Sequence, residues 1–239
     1  AILLEVLVEQ DDELMSKYFE GGEFTSEELY GALRKGTLEL KIFPVLGGDS
    51  RSAMAKTLLD YISICLPSPL DVPPVKGVHP KTGEEIERHP DENEPFSSLV
   101  FKIVNDPHIG NLSYFRVYSG SFKSNSHVFN ANNEKQERVG QLFYIRGKEH
   151  INTDSVGAGD IAAVGKLAFS LTGDTLCDEA HQIKLPPVEF PSPSYAAAVN
   201  PKTKADLDKM GQALHRIVEE DPTLHLSRDS VTGENIISG

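Results

Sequence analysis

The chain has 239 residues, of which 39% are hydrophobic and 25% charged, and it carries a formal net charge of −13 at pH 7. These proportions are typical of folded, soluble proteins and exclude a globally disordered chain. The apolar runs are shorter than the roughly 18 residues that a membrane span needs, so no membrane partner is expected. The acidic balance disfavours nonspecific phosphate binding, which makes DNA an unexpected partner and confines any RNA contact to a local patch.

The length predicts two or three small domains. Residues 1–70 read as the end of an α/β layer. Their predicted elements are a helix over residues 2–19, a second helix starting at Thr25, a strand over residues 38–46 and a helix over residues 53–66. Thr25 and Glu28 have the spacing of a capping box, and Gly36 is expected to end the second helix.

Residues 71–95 are rich in proline and polar residues, which is typical of a linker, with one hairpin expected around residues 81–83. Residues 96–185 then contain short strands separated by turns, and this pattern predicts a small closed β-barrel. The predicted strands cover residues 99–104, 112–119, 126–130, 137–145, 161–166 and, more briefly, 175–176.

Residues 194–239 have the order strand, helix, strand, strand, which predicts the first part of a ferredoxin-like α+β domain. The strands are expected at 195–199, 223–227 and 234–237, and the helix at 202–219. The whole chain is therefore predicted to be multidomain, α/β followed by all-β and then α+β.

Four strings in the barrel segment resemble the second domain of bacterial elongation factor G, a translational GTPase. They are FKIVNDPHIGNLSYFRVYSG, ERVGQLFYIRGK, GAGDIAAVGKL and TGDTLCD. The flanking strings ALRKGTLELKIFPVL and PKTKADLDKMGQALHRIVEEDPTLHLSRDSVTGENIISG resemble the end of that family's GTPase domain and the start of its third domain. The resemblance covers nearly the whole chain in the family's domain order, so the chain reads as an internal fragment.

The resemblance implies a cytoplasmic, monomeric factor that binds GTP, Mg²⁺ and the ribosome and promotes translocation of tRNA and mRNA. The sequence contains neither a Gly-x-x-x-x-Gly-Lys-[Ser/Thr] phosphate loop nor an Asn-Lys-x-Asp guanine motif. Hydrolysis by this chain alone, and a nucleotide bound to it, are therefore not expected. A ribosomal protection or ribosome-recycling paralogue, and a non-catalytic module that binds RNA or protein, remain alternatives.

One loop matches the place where the family contacts guanine through backbone amides. It consists of Gly47, Gly48, Asp49 and Ser50. Asp49 departs from the small neutral residue that the resemblance implies, and this departure favours a divergent paralogue. The other interpretation is an ordinary turn between two elements.

Basic residues at the predicted barrel turns are candidates for contact with ribosomal RNA phosphates, which require charge but little sequence information. They are Lys123, Lys135, Arg138, Arg146 and Lys148. The alternative is plain surface solvation. No catalytic residue is predicted. Two distant cysteines and eight histidines without ligand spacing predict buried thiols and no metal site.

Overall fold

A computed structural model of the chain describes residues 2–49, 51, 53–107, 109–201 and 203–239. The chain divides into two compact units, Ala1–Val72 and Pro73–Gly239. No helix in the described ranges is long and apolar enough to cross a membrane.

The first unit is helical. Its helices are α1 (Ile2–Val8), α2 (Asp12–Phe19), α3 (Ser26–Leu38) and α4 (Met54–Cys65). The prediction of one continuous helix over residues 2–19 is wrong because Asp11 has extended backbone angles and starts a new helix. Its carboxylate accepts the N–H of Glu13 at 3.0 Å, which satisfies a donor that the first turn of α2 leaves unpaired.

Helix α3 begins as predicted and ends differently. Thr25 and Glu28 form the capping box, with the Thr25 N–H donating to the Glu28 carboxylate at 2.7 Å. Gly36 does not end the helix, because α3 continues to Leu38. A Cβ on Gly36 would lie 2.7 Å from the Ile42 Cδ1 atom, so this glycine allows the returning chain to pack closely.

The predicted strand over residues 38–46 is wrong. Its first residue belongs to α3, and residues 42–49 have no regular secondary structure. A β-strand is stabilised by pairing with a neighbour, and the described part of this unit contains no other strand. The helix predicted over residues 53–66 is confirmed as α4.

The second unit contains the linker hairpin and a large antiparallel sheet. Its strands are β1 (Val75–Val78), β2 (Glu85–Arg88), β3 (Ser97–Asp106), β4 (Gly110–Ser119), β5 (Ser121–Lys123), β6 (His127–Asn130), β7 (Lys135–Arg138), β8 (Leu142–Arg146), β9 (Glu149–Thr153), β10 (Ser155–Gly157), β11 (Ile161–Gly165) and β12 (Thr175–Cys177). Strands β1 and β2 form the predicted hairpin. Eight strands pair in the order β7-β6-β12-β3-β4-β11-β8-β9, and β5 pairs with β10 in a separate sheet.

The inward faces of these strands build the main core. Its largest fully buried side chains include Phe115, Phe122, Leu142 and Leu176, which come from β4, β5, β8 and β12. Since strands from both ends of the strand order contribute to one apolar cluster, the sheet curls around its own core.

Closure of the predicted barrel is not established by the strand pairing. Among the described residues, the sheet has β7 and β9 as its edges, and no pairing joins them. The single strand predicted over residues 137–145 is two strands, β7 and β8, because residues 139–141 between them have no regular secondary structure. Strands β5, β9 and β10 were not predicted.

The last segment contains a three-stranded sheet and one helix. They are β13 (Ala196–Val199), α5 (Leu207–Glu220), β14 (His225–Arg228) and β15 (Asn235–Ser238). The order strand, helix, strand, strand is confirmed, with β15 between β13 and β14. The helix starts later than predicted, and Lys202, its predicted first residue, lies outside the described residues.

The C-terminal end of α5 contacts the β3–β4 hairpin. The Asn105 N–H donates to the Glu220 Oε1 atom at 2.6 Å, and the Asn111 Nδ2 atom donates to the Glu219 Oε2 atom at 3.1 Å. These bonds place the α5 segment against the large sheet.

Candidate functional site

The predicted guanine-contact loop has the local features of a turn that packs against α4. Gly47, Gly48 and Asp49 are exposed, and Ser50 lies outside the described residues. A Cβ on Gly48 would lie 2.6 Å from the Met54 Cγ atom, so the glycine is required by packing. The Asp49 carboxylate accepts the N–H of Arg51 at 2.7 Å.

The described residues of this loop lack a lysine, which is one of the groups that hold the phosphates of a guanine nucleotide. A phosphate site needs backbone N–H groups and a lysine placed around the phosphates, whereas Asp49 brings a carboxylate into the loop. In the described ranges, no group of three or more His, Cys, Asp and Glu side chains is arranged to hold a metal ion.

Both cysteines are free and buried, as predicted. Burial raises the pKa of the Cys177 thiol, which keeps it protonated at neutral pH. Cys177 therefore behaves as a small apolar residue of the core.

The five predicted basic residues are all exposed, and they lie on different strands and turns. Lys135 and Arg138 occupy the two ends of β7, whereas Arg146 and Lys148 lie at the β8–β9 turn. Strands β7 and β8 do not pair with each other, although only residues 139–141 separate them along the chain and Arg138 lines one cavity together with Phe143 of β8. The candidates thus fall into two pairs and one separate residue, Lys123.

Lys123 is the least suitable of the five for binding phosphate. It lies at the end of β5 and lines a surface depression together with acidic residues. Those acidic residues are Glu92, Glu94, Asp178 and Glu179. Nearby carboxylates repel a phosphate group and offset the attraction of a single lysine.

Glu137, which the sequence did not single out, organises the surface near Lys135 and Arg138. It lies between them on β7 and is buried at 1% exposure. Its carboxylate accepts the Ala168 N–H at 2.9 Å, the Phe169 N–H at 2.7 Å and the Ser170 hydroxyl at 2.8 Å. This buried acceptor ties β7 to the loop that follows β11.

That loop presents an aromatic ring beside the cations. Phe169 is 47% exposed, and the Lys135 Nζ atom lies 4.3 Å from the centroid of its ring, within the range of a cation–π contact. Arg138 and Lys166 line an adjoining cavity of about 430 Å³ together with Ala168, the residue before Phe169. We call Lys135, Arg138, Lys166 and Phe169 the β7 surface.

A sequence signal for the β7 surface exists only in part. The string KQER places two cations on either side of an acidic residue, but alternation would put Lys135 and Glu137 on the same face of the strand and does not by itself predict that only Glu137 is buried. Nothing in the sequence indicates that residues 168–170 meet this carboxylate, because about thirty positions separate them along the chain.

Comparison with known proteins identifies the second unit. Residues 95–179 match the family model for elongation factor G domain 2, and residues 190–239 match the model for elongation factor G domain III. The chain is also similar to a crystal structure of a protein from Thermus thermophilus, with 29% sequence identity and a TM-score of 0.75. That similarity covers 99% of this chain and 33% of the other, so the chain spans about a third of the length of the protein it matches. The chain therefore belongs to the elongation factor G family and carries residues of that family's second and third domains.

Proposed function

We propose that this chain is the ribosome-docking and connecting part of a translational GTPase of the elongation factor G type. Such a factor acts in the cytoplasm, as a monomer, and promotes movement of tRNA and mRNA through the ribosome. GTP and Mg²⁺ would be held by other residues of the factor, because this chain contains neither the phosphate loop nor the guanine motif of a GTPase. The chain itself would contribute binding and no hydrolysis.

The proposal assigns a role to each segment. Residues 1–70 would form the end of the GTPase domain, because they leave an apolar groove of about 730 Å³ where a sheet layer can pack. Residues 71–95 would be the linker, residues 96–185 a closed barrel of the second-domain type, and residues 194–239 the first part of a ferredoxin-like third domain.

The observation that carries the docking role is the distribution of charge. Residues 96–185 contain nine lysines and arginines and nine aspartates and glutamates, whereas the whole chain has a net charge of −13. We call residues 96–185 the sheet domain. In this segment the acidic residues do not outnumber the lysines and arginines. Contacts to RNA phosphates need such cations and little else.

Ribosome binding at increasing salt tests this function. We expect the chain to sediment with bacterial 70S ribosomes at low salt. The variant Lys135→Gln, Arg138→Gln, Arg146→Gln, Lys148→Gln should bind at least about tenfold more weakly and lose about three units of slope in a plot of log affinity against log salt.

The matched control removes the same charge from elsewhere. Lys41, Lys56, Lys76 and Lys81 are exposed, and their replacement by glutamine should leave binding nearly unchanged. Equal loss in both variants would show a general charge effect and contradict RNA docking by the sheet domain. No sedimentation of the wild-type chain would contradict ribosome docking itself.

A ribosomal protection or recycling paralogue is the second candidate, because these factors share the same domain order. Asp49 favours it, since it departs from the residue type that the translocation factor carries in the guanine loop. A translocation assay on the full-length factor separates the two. A GTPase that binds ribosomes without promoting translocation would support the paralogue.

A further inference from the structure

Phe169 is an exposed aromatic residue in a loop whose backbone is held in place on both sides. Its N–H donates to the Glu137 Oε1 atom at 2.7 Å, and its carbonyl accepts from the Asn133 Nδ2 atom at 2.9 Å. We propose that Phe169 is a stacking platform for an unpaired RNA base, with Lys135 and Arg138 binding the adjacent phosphates. The identity of this RNA as ribosomal rests on the proposed function.

The Glu137 carboxylate, which holds the loop that carries Phe169, is buried, and both of its oxygens accept hydrogen bonds. The Ser170 hydroxyl, which donates to this carboxylate, also receives a hydrogen bond from the Asn130 Nδ2 atom at 3.1 Å. A buried carboxylate with this many donors fixes the backbone around it. The backbone of the loop therefore loses little conformational entropy when a ligand binds, which favours affinity.

Phe169 is the most exposed aromatic residue described within residues 96–185, followed by Phe101 at 37%. Phe115 and Phe122 are fully buried in the main core, where their rings lie 4.7 Å apart. Phe169 is 47% exposed although its own loop is anchored to the same domain. Folding thus holds this ring at the surface and leaves part of its apolar area to water, which a stacked base would cover.

The charges around the ring favour RNA over an apolar protein partner. Lys135 lies over the ring, and Arg138 and Lys166 line the adjoining cavity. A hydrophobic protein surface would have to desolvate these cations without pairing them, which is costly. RNA instead pairs each cation with a phosphate and places a base on the ring, the combination found in single-strand binding sites.

A tryptophan at position 169 gives a direct readout, since the chain contains no tryptophan. We would titrate the Phe169→Trp variant with oligouridylate of about 12 nucleotides and with 70S ribosomes. Stacking should preserve the affinity and quench the fluorescence of the new indole ring. Binding without any change in fluorescence would overturn the proposal.

Three further variants separate stacking from apolar contact. Phe169→Ala and Phe169→Leu should each weaken oligouridylate binding by roughly tenfold, because leucine has no ring face. Leu171→Ala, at an exposed position of the same loop, should have no effect. Full binding by Phe169→Leu would indicate an apolar protein-type contact and would also overturn the proposal. Unchanged circular dichroism and melting temperature confirm that each variant is folded.

The two ligands keep this inference separate from the proposed function. If the Phe169→Ala variant binds both oligouridylate and ribosomes as tightly as the wild-type chain, the stacking site is refuted and ribosome docking stands. If oligouridylate binds through Phe169 while ribosomes do not bind, the stacking site stands and ribosome docking is refuted. Binding of neither ligand by the wild-type chain refutes both.

Discussion

The helical unit and the sheet domain differ in how completely they bury their apolar residues. The sheet domain encloses a cluster that includes Phe115, Leu142 and Leu176, all fully buried. The helical unit has a small buried cluster around Leu7 and Leu33, yet Phe43 is 72% exposed. The sheet domain thus carries its own core, whereas the described part of the first unit leaves apolar side chains such as Phe43 exposed.

The largest expected effect sharpens this contrast. Phe115→Ala should lower the free energy of unfolding of the sheet domain by about 3 to 5 kcal/mol, since it opens a cavity in a closed core. Phe43→Ala, the same substitution in the helical unit, should change the free energy of unfolding of that unit by less than about 0.5 kcal/mol. Urea denaturation followed by circular dichroism measures both. Comparable losses in the two variants would break the comparison.

A smaller effect is expected at the buried polar support of the sheet domain. Glu137→Ala removes the acceptor of two backbone N–H groups and one hydroxyl, and should cost about 2 to 3 kcal/mol. Glu134→Ala, at an exposed position close by, should cost less than about 0.5 kcal/mol. Urea denaturation of both variants is the measurement. If Glu137→Ala is as stable as Glu134→Ala, the loop is not anchored by this carboxylate.

The smallest expected effect is the loss, in acid, of a contribution that Glu28 makes to the stability of the helical unit. A hydrogen bond from Lys17, followed by the Thr25 N–H, lowers the pKa of Glu28 from its ordinary value of 4.5 to about 2. A carboxyl whose pKa is lower in the folded state stabilises the fold above pH 4.5, and this stabilisation is lost as the pH falls from 4.5 to 2.

We therefore expect the helical signal to melt at progressively lower temperature between pH 4.5 and 2. Asp71, whose pKa is lowered to about 2 mainly by the Ser68 hydroxyl, lies in the same unit and adds to the effect. Glu28→Gln should reduce the pH dependence of the melting temperature in this window. A variant that retains the full wild-type slope would exclude Glu28 as a contributor.

Much of the local structure follows from short-range rules. The capping box of Thr25 and Glu28, the helix α4 and the hairpin of β1 and β2 depend on neighbouring residues alone, and each is confirmed. The strands β3, β4, β6 and β11 also appear where alternation predicts them. Strands β5 and β10 escaped prediction because three residues are too few to show a period.

The errors share a different physical cause. Residues 42–46 have the apolar character of a buried strand, but no strand lies beside them in the described part of the helical unit, so they remain irregular. Gly36 has the residue type of a helix end, yet its actual role is to admit Ile42 at close range. In both places a contact with a distant part of the chain, present or missing, decided the outcome.

The candidate site shows the same division. The sequence identified Lys135 and Arg138 as exposed cations, because charge and turn position are local properties. It did not identify Glu137 or Phe169, whose roles arise only when β7 meets residues 168–170. The rRNA contacts and the guanine loop remain predictions.

By itself, the sequence determined the family, the order of the elements and the acidic balance, since each is written in residue types and their spacing. Only the tertiary structure decided that five basic residues separate into different regions, that a buried glutamate anchors a loop and that Phe169 stays at the surface beside Lys135. Burial and hydrogen bonding between distant segments depend on how the strands pair, and pairing is a property of the whole sheet.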